Sequence, residues 1–296
     1  MIARSPTADV NRPHPVRAAG RYVPRYLAYL VVVVVMAFPM WWIVHVALSQ
    51  PGHELAYPPG LWPHPTLFSN LGTAAAGSQG VGTIWPFFRN SAIYAVAATA
   101  GCLIMQSIVG YGFARFEFPG RRLLFSMTVA MMMLPFVVTL IPRFVLFKDL
   151  HLTNSLWPLI IPWWLGGSPY GIFLMRQFFM SVPRELDAAA RLDGMGAWRT
   201  LWLVLIPQAV PVLVALGMIE FAYFWNDLLG PLIYTLTPQW QPLSLGVWAE
   251  WRTASTVLFP YFMMVIVIMV VPLMVLFLIV QRRFRQGMLY SGLGGR

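Results

Sequence analysis

Six long stretches without Asp, Glu, Lys or Arg constrain this chain more than any other feature. Each is 20 residues or longer, the length of helix that crosses the apolar part of a bilayer. Membrane strands are only about ten residues long and alternate in polarity, so helices are favoured over a barrel. The composition agrees, because 58% of the 296 residues are hydrophobic and 10% are charged, against about 25% charged in ordinary domains. We therefore predict an all-α membrane protein with six transmembrane helices at Tyr26–Leu48, Ser91–Phe113, Leu123–Pro142, Leu156–Met175, Thr200–Ile219 and Val257–Val280.

The basic residues predict the orientation of these helices. Sixteen of the 20 basic residues lie in the two tails and in the second and fourth connections, all on one side of a six-helix topology. Short connections rich in Arg and Lys stay in the cytoplasm, so both termini should be cytoplasmic. The chain then divides into a tail at 1–25, a transmembrane domain at 26–280 and a tail at 281–296. This distribution explains the net charge of +10 without a nucleic-acid partner.

The fourth connection is unusually polar for a chain of this kind. In the stretch PRELDAAARLDGMGAWRTLWLVLIP, Glu185 and Asp187 would lie at the positive end of a short helix rich in alanine. Ser181 is the expected N-cap, and Gly194 or Gly196 is expected to end the helix with a positive φ. The residues alone fit two interpretations equally well. One is an ordinary capped surface helix, and the other is a small-sided helix that another protein approaches closely.

This stretch resembles the EAA loop of the permeases of binding-protein-dependent ABC importers. The family's pattern is Glu-Ala-Ala, three residues, Gly, nine residues and Ile-x-Leu-Pro, and here Ala189-Ala190, Gly194 and Val204-Leu205-Ile206-Pro207 fit its spacing. The motif's glutamate falls on Ala188, with Asp187 one position earlier. Four further blocks follow in family order. YGFARFEFPGR (111–121) resembles the family's loop after the second span, and LFKDLHLTNSL (146–156) resembles its third-to-fourth connection. FWNDLLGPLI (224–233) and QRRFRQG (281–287) are similar to features of the carbohydrate-importer branch, the maltose-type second permease.

The resemblance implies a type I ABC importer architecture in which this chain is coupled to a separate ATPase. The loop at about 181–200 would be the coupling helix that docks into a groove of that ATPase. The chain contains no Gly-x-x-x-x-Gly-Lys-Ser/Thr motif to cradle ATP phosphates, so ATP and Mg would be bound by the partner. The expected docking residues are Glu185, Asp187, Ala188, Ala189, Ala190, Leu192, Asp193 and Gly194.

The resemblance also implies the remaining partners and the place of action. A full importer would contain two permeases as a heterodimer, two ATP-binding subunits and one extracytoplasmic solute-binding protein, in the cell membrane of a prokaryote. The chain lacks the extra N-terminal spans of some first permeases, so we expect it to be the second, six-helix permease. We expect no enzymatic activity, cofactor or metal in the chain itself, because Cys102 is its one cysteine and its histidines are scattered.

Two acids mark a candidate solute path at the end of the fifth stretch. Acidic residues inside a membrane are costly and by default suggest a function. Glu220 and Asp227 are seven residues apart and would share one helix face, with Tyr223, Phe224 and Asn226 completing the candidate set. The alternative is structural, since both acids could pair with the sister permease or cap helix ends.

Residues in the outer connections are candidates for contact with the solute-binding protein. In related importers the segment before the last span reaches into the docked binding protein, and here that segment would be Leu236–Arg252. A proline-rich turn resembles part of the family's first outer loop. For the tryptophans, an ordinary belt at the membrane interface is the favoured alternative. The candidates are Pro58, Pro59, Trp240, Trp248 and Trp251.

Two other classes of protein remain open at this point. An ion-coupled secondary transporter would explain acids in the membrane, but no internal repeat is evident. A membrane-embedded enzyme would need polar groups converging at one depth. For an importer, the lack of basic residues in the six stretches favours a neutral sugar over a phosphorylated solute. Arg89, Arg143 and Arg252 near the outer side leave the second option open.

Overall fold

Long helices joined by short ones make up the part of the chain that the structure describes. The computed structural model describes the backbone of residues 15–53, 60–77, 83–253 and 259–293, and all regular structure in these ranges is helical. A π-helical segment covers Thr200–Leu205, and a 3₁₀ turn covers Pro238–Trp240. The helices are α1 (Pro15–Ala47), α2 (Ser69–Ala76), α3 (Trp85–Arg115), α4 (Arg121–Met131), α5 (Phe136–Asp149), α6 (Trp157–Gly166), α7 (Pro169–Ser181), α8 (Glu185–Leu192), α9 (Ala197–Arg199), α10 (Ile206–Trp225), α11 (Leu229–Tyr234), α12 (Leu243–Thr253) and α13 (Phe259–Leu293).

Four continuous helical segments of the described chain are long and apolar enough to cross a membrane. They coincide with the first, second, fifth and sixth predicted stretches. The helices α4 and α5 pass the same test only together, as a pair bent by 102°, and would supply a fifth crossing. The all-α class is confirmed. The continuous segments are Pro24–Ala47, Trp85–Arg115, Ala197–Trp225 and Phe259–Gln281.

A proline breaks the third predicted stretch. Pro135 has no N–H to donate, and its ring disfavours helical geometry at the residue before it. The helix α4 therefore ends at Met131, and α5 begins at Phe136 after an extended Pro135 with ψ 135°. The expectation of one continuous helix over Leu123–Pro142 is wrong.

Glycines break the fourth predicted stretch. The expected helix Leu156–Met175 is two helices, α6 and α7, separated at Gly167, whose φ is +66°. Ser168 then caps α7, because its Oγ accepts the N–H of Gly171 at 3.3 Å. The expectation of a single helix is wrong here as well.

The helix α3 is central, and glycines on it let its neighbours approach closely. A Cβ at Gly110 would lie 2.8 Å from the Cβ of Met175 in α7. One at Gly101 would overlap the ring of Trp164 in α6. Close packing at small residues is a main source of helix association in lipid. As a result α3 packs against α6, α7 and α10.

Two clusters of buried apolar residues lie along α3. The cluster near its N-terminal end includes Phe87 and Tyr94 of α3 and Trp225 of α10. The cluster near its C-terminal end includes Tyr111 of α3 and Phe179 of α7. The bundle is therefore packed at both ends of its central helix, and these two ends carry the candidate sites.

Candidate coupling and solute sites

The polar fourth connection folds as a short helix closed by a glycine. The helix α8 covers Glu185–Leu192, and Gly194 follows it with φ +74°. The N–H of Gly194 donates to the carbonyl of Arg191, and the N–H of Met195 donates to that of Ala190. These are the paired bonds of a Schellman motif. The predicted positive φ at Gly194 is confirmed. A Cβ there would meet nothing within 4 Å, so backbone conformation alone selects glycine.

The start of α8 differs from the prediction. Ser181 is the last residue of α7, and its Oγ donates to the carbonyl of Phe178, so it is not the N-cap of α8. Pro183 disfavours helical geometry at Val182, which is extended with ψ 131°. The helix therefore begins only at Glu185, and its first turn carries acidic residues that favour the exposed N–H groups there.

One side of α8 faces the rest of its own chain. Asp187 Oδ2 lies 3.0 Å from Nη2 of Arg115, the last residue of α3, and 14% and 7% of the two side chains are exposed. The same Nη2 donates a hydrogen bond to the carbonyl of Val182 at 3.0 Å. Asp187 Oδ2 accepts no hydrogen bond from the described residues, so its contact with Arg115 is an ion pair without hydrogen-bond geometry. Ala190, three residues after Asp187, is 4% exposed. Asp187 and Ala190, two of the expected docking residues, thus face the body of their own chain.

The other side of α8 is open. Glu185, Ala188 and Ala189 are exposed, and 89% of Leu192 is exposed. Trp198, in the next helical turn, is 61% exposed. This polar connection therefore presents two large apolar side chains that the described chain leaves uncovered. Uncovered apolar groups within a polar rim are typical of protein contact sites.

Asp227 lies beyond the helix on which it was expected. The helix α10 ends at Trp225, and Asp227 Oδ1 accepts the N–H of Gly230 at 3.1 Å in the first turn of α11. Its Oδ2 accepts the hydroxyl of Tyr94 at 2.8 Å, and its carbonyl accepts the hydroxyl of Ser244 at 2.6 Å. Asp227 thus caps a helix end, which is the structural alternative, and ties the connection between α10 and α11 to α3 and α12.

Glu220 occupies a separate, buried position inside the bundle. Only 8% of Glu220 is exposed, and its Oε1 accepts the thiol of Cys102 in α3 at 3.3 Å. One helical turn along α3, Gln106 Oε1 lies 3.9 Å from the same sulfur. A Cβ at Gly171 of α7 would overlap Gln106 Oε1. Because α10 ends before Asp227, the expectation that the two acids share one helix face is wrong.

The other three path candidates divide between core and surface. Phe224 is 2% exposed and packs edge to face on Trp163 of α6, with their ring centroids 4.9 Å apart. Tyr223 is 52% exposed. Asn226 is exposed, and its Nδ2 donates to the carbonyl of Ala222 at 2.7 Å. Tyr223 and Asn226 therefore present polar groups outward, whereas Phe224 belongs to the core.

A cleft of about 20 Å³ lies beside Asp227, with room for one water. The guanidinium of Arg143 lies 5.6 Å from the ring of Phe136, and no carboxylate of the described residues is within ion-pair distance of it. Sequence reasoning missed four rings of this cleft, because aromatic residues in apolar sequence give no signal of function. These rings are Tyr94, Phe136, Trp163 and Tyr234, and they line the cleft together with Tyr223 and the charged groups of Arg143 and Asp227.

The outer candidates are only partly described. Trp240 ends the 3₁₀ turn before α12 and is 37% exposed. Trp248 is half-buried in α12, and Trp251 belongs to the same helix with its side chain outside the described set. Pro58 and Pro59 lie outside the described residues.

Comparison with known proteins decides the family. The sequence signature described as "Binding-protein-dependent transport system inner membrane component" matches residues 106–290. The chain belongs to this family.

Its relatives include solute-specific permeases. The permease is 30% identical over 269 residues to the sn-glycerol-3-phosphate transport system permease protein UgpE of Brucella abortus, covering 89% of this chain and 94% of the relative. It is 29% identical over 252 residues to the diacetylchitobiose uptake system permease protein NgcG of Streptomyces coelicolor, covering 84% and 82%.

The fold of the permease is also that of a known importer subunit. It is similar to a chain of a bacterial ABC transporter involved in the import of the acidic polysaccharide alginate, with a TM-score of 0.76 and 20% identity. The match covers 95% of this chain and 100% of the other. Family membership confirms the resemblance carried by the EAA-like loop. It makes the protein a membrane transport subunit, and it favours the importer over the ion-coupled transporter and the membrane enzyme.

Proposed function

We propose that this permease forms half of the translocation path of an ATP-driven importer for a sugar or sugar-like solute. A solute-binding protein delivers the solute from outside, a second permease completes the path, and two separate ATPases drive it. The observation that supports the proposal is the helix α8. It is a short, capped helix with an uncovered face, and it lies within the part of the chain that matches the family. We assign the permease the role of the second permease, as the carbohydrate-branch blocks imply.

The proposed topology has six crossings, with both termini in the cytoplasm. The four continuous spans and the bent pair α4 and α5 would supply five crossings, and we assign the sixth to the broken pair α6 and α7. Broken helices at membrane depth are tolerated where protein covers the freed backbone groups. The arginine-bearing tails and the connections before α4 and α8 then fall on one side, as the positive-inside rule requires.

The helix α8 is the proposed coupling element. Its exposed residues Glu185, Ala188, Ala189 and Leu192 would enter the groove of the ATPase, while the ion pair of Asp187 fixes the helix to α3. ATP and Mg bind to the ATPases and not to this chain. Closure of the ATPases would bias the two permeases between an outward-open and an inward-open state, and hydrolysis would reset them.

The cleft beside Asp227 is the proposed contact of this subunit with the solute. Its aromatic rings offer apolar faces to a sugar, and Arg143 and Asp227 offer hydrogen-bond donors and acceptors. With room for one water, it would admit a solute only once the permeases separate. Glu220 has no comparable exposed edge, so we assign it to helix packing.

A neutral, polyhydroxylated solute fits this cleft best. Arg143 and Asp227 contribute one charge of each sign, so the cleft has no excess positive charge to hold a phosphate. The named relatives carry both kinds of solute, a phosphorylated glycerol and an uncharged disaccharide derivative. We therefore propose a sugar without a charged group.

Reconstitution in liposomes tests the proposal. The purified chain alone should neither hydrolyse ATP nor accumulate solute. ATP-dependent uptake should require the second permease, the ATPase and the solute-binding protein together. Solute accumulation by the single chain, driven by an ion gradient, would show that the importer assignment is wrong.

A further inference from the structure

Residues 235–241, which we call the outer segment, connect α11 to α12 and are anchored at one end by Asn154. The Oδ1 atom of Asn154 accepts three hydrogen bonds, from the N–H of Leu236 at 3.1 Å, the N–H of Thr237 at 3.0 Å and the hydroxyl of Thr237 at 2.9 Å. The N–H of Asn154 donates to the carbonyl of Tyr234 at 2.7 Å. One side chain, 82 residues before Leu236 in sequence, therefore fixes where the outer segment begins.

The backbone of Asn154 suits this task. Its φ is +58°, in the left-handed region that asparagine enters more readily than most residues. This conformation turns the chain between α5 and α6 and directs the amide oxygen to the outer segment. The position therefore uses two properties of asparagine, its tolerance of positive φ and its acceptor oxygen.

Asn90 of α3 anchors the other end of the outer segment. It is 1% exposed, and its Nδ2 donates to the carbonyls of Gln239 at 2.8 Å and Gln241 at 3.0 Å. The neighbouring Ser91 Oγ accepts the N–H of Leu243 at 2.8 Å. The bonds of Asn90 and Ser91 are made to main-chain groups, so they occupy no side chain of the outer segment.

The outer segment and α8 lie at opposite ends of α3. Asn90 is near the N-terminal end of this helix of 31 residues, and Arg115, which pairs with α8, is its last residue. At 1.5 Å per residue such a helix spans about 45 Å, the thickness of a bilayer with its headgroups. Because α8 is proposed to meet the ATPase in the cytoplasm, the outer segment faces the compartment of the solute-binding protein.

We propose that Asn154 and Asn90 are positioning residues that hold the outer segment ready to bind the solute-binding protein. This inference rests on the proposed function. Between the two anchors Leu236 is 70% exposed and Trp240 is 37% exposed, which gives the segment two apolar contact groups. A segment already held in its bound conformation loses less entropy on association. The competing explanation is that the bonds only satisfy backbone groups at the membrane interface.

Substitutions at Asn154 separate the two explanations. Asn154→Gly keeps the positive φ and removes the amide oxygen, whereas Asn154→Asp keeps an acceptor oxygen in the same place and is the matched control. The assay is ATP hydrolysis by the fully assembled transporter in liposomes, as a function of the concentration of solute-loaded binding protein. Asn154→Gly should raise the concentration for half-maximal stimulation by about tenfold, with the rate at saturation retained. Asn154→Asp should stay within about twofold of the unmodified permease.

A milder variant covers the case in which Asn154→Gly does not assemble. Thr237→Val removes one of the three bonds to Asn154 Oδ1 and should raise the half-maximal concentration by about threefold. An unchanged half-maximal concentration in the assembled variants, even with a lower yield, would overturn the positioning role. If the binding protein did not stimulate ATP hydrolysis even by the unmodified transporter, the proposed function would be wrong, and so would this inference.

Discussion

Removing the charge of Asp187 should loosen α8 from its own chain without altering its exposed face. The Asp187→Asn substitution keeps the size of the side chain and abolishes the ion pair with Arg115. Arg115 retains its hydrogen bond to the carbonyl of Val182, so the substitution isolates the electrostatic contact. The free energy that changes is that of local detachment of α8, and the transmembrane helices should remain inserted.

The burial of the two side chains sets the magnitude. Exposed ion pairs contribute about 0–1 kcal/mol, whereas removal of one partner from a buried pair costs about 3–5 kcal/mol. Here 14% of Asp187 and 7% of Arg115 are exposed, close to the buried limit, but Arg115 keeps one acceptor. We therefore expect a loss of about 2 kcal/mol, which corresponds to about a thirtyfold larger detached population.

Hydrogen exchange of the α8 amides measures that population in the permease without its ATPase, where no docking contact of Glu185 contributes. Glu185→Gln is the matched control, because Glu185 is an acid in the same first turn but is exposed and has no ion pair in the described chain. The control loses only the favourable interaction with the helix dipole, about 0.3–1 kcal/mol. In the assembled transporter, Asp187→Asn should lower the rate of solute uptake more than the rate of ATP hydrolysis. The reason is that a detached α8 no longer couples hydrolysis to transport.

Equal exchange rates in Asp187→Asn and Glu185→Gln would refute this reasoning. So would full additivity when Asp187→Asn is combined with Arg115→Gln, because residues in contact should show an interaction energy. Either result would mean that the ion pair does not hold α8.

Three further predictions concern single positions. Gly194→Val should destabilise the end of α8 by about 1–2 kcal/mol because φ is positive there, whereas Gly194→Asn should be tolerated. The amount of ATPase that co-purifies with each variant is the measurement. Equal amounts of ATPase with the two variants would contradict the coupling assignment. Ala189→Trp and Leu192→Asp should both reduce ATPase co-purification while leaving the permease inserted, since both positions are exposed; normal co-purification would show that another surface docks. Gly171→Ala should lower the free energy of thermal unfolding of the complex by about 1–3 kcal/mol, because its Cβ would overlap Gln106. Adding Gln106→Ala should restore the stability. A double variant as unstable as the single variant would show that this overlap is not the cause.

Hydrophobic length predicted the spans only where no residue interrupts the helix. The first, second and fifth stretches fold as continuous helices, and so does the sixth from Phe259 onward. The third and fourth break at Pro135 and Gly167. Both residues are visible in the sequence, but proline also occurs inside helices of this chain, as at Pro211 in α10. Local sequence therefore does not decide which proline breaks a membrane helix, because neighbouring helices can satisfy the freed backbone groups.

The candidate sites were predictable where their geometry is local. Gly194 was expected at a positive φ because a helix end requires it within a few residues. The partners of Asp187 and Asp227 were not predictable, since Arg115 and Tyr94 reach them through the packing of distant helices. A pattern of residue types contains no information on such pairings without the fold. Asn154 was missed for the same reason, although it lies within a family-like block.

The two proposed interaction sites are connected by one helix. At its C-terminal end α3 is tied to α8 by the Arg115–Asp187 pair, and at its N-terminal end it holds the outer segment through Asn90. Its glycines pack so closely against α6 and α7 that these helices would have to move with it. A displacement of α8 by the ATPase would therefore reach the outer segment as a movement of the whole packed unit. This argues that coupling in this subunit depends on the rigidity of α3 rather than on a flexible chain of side-chain contacts.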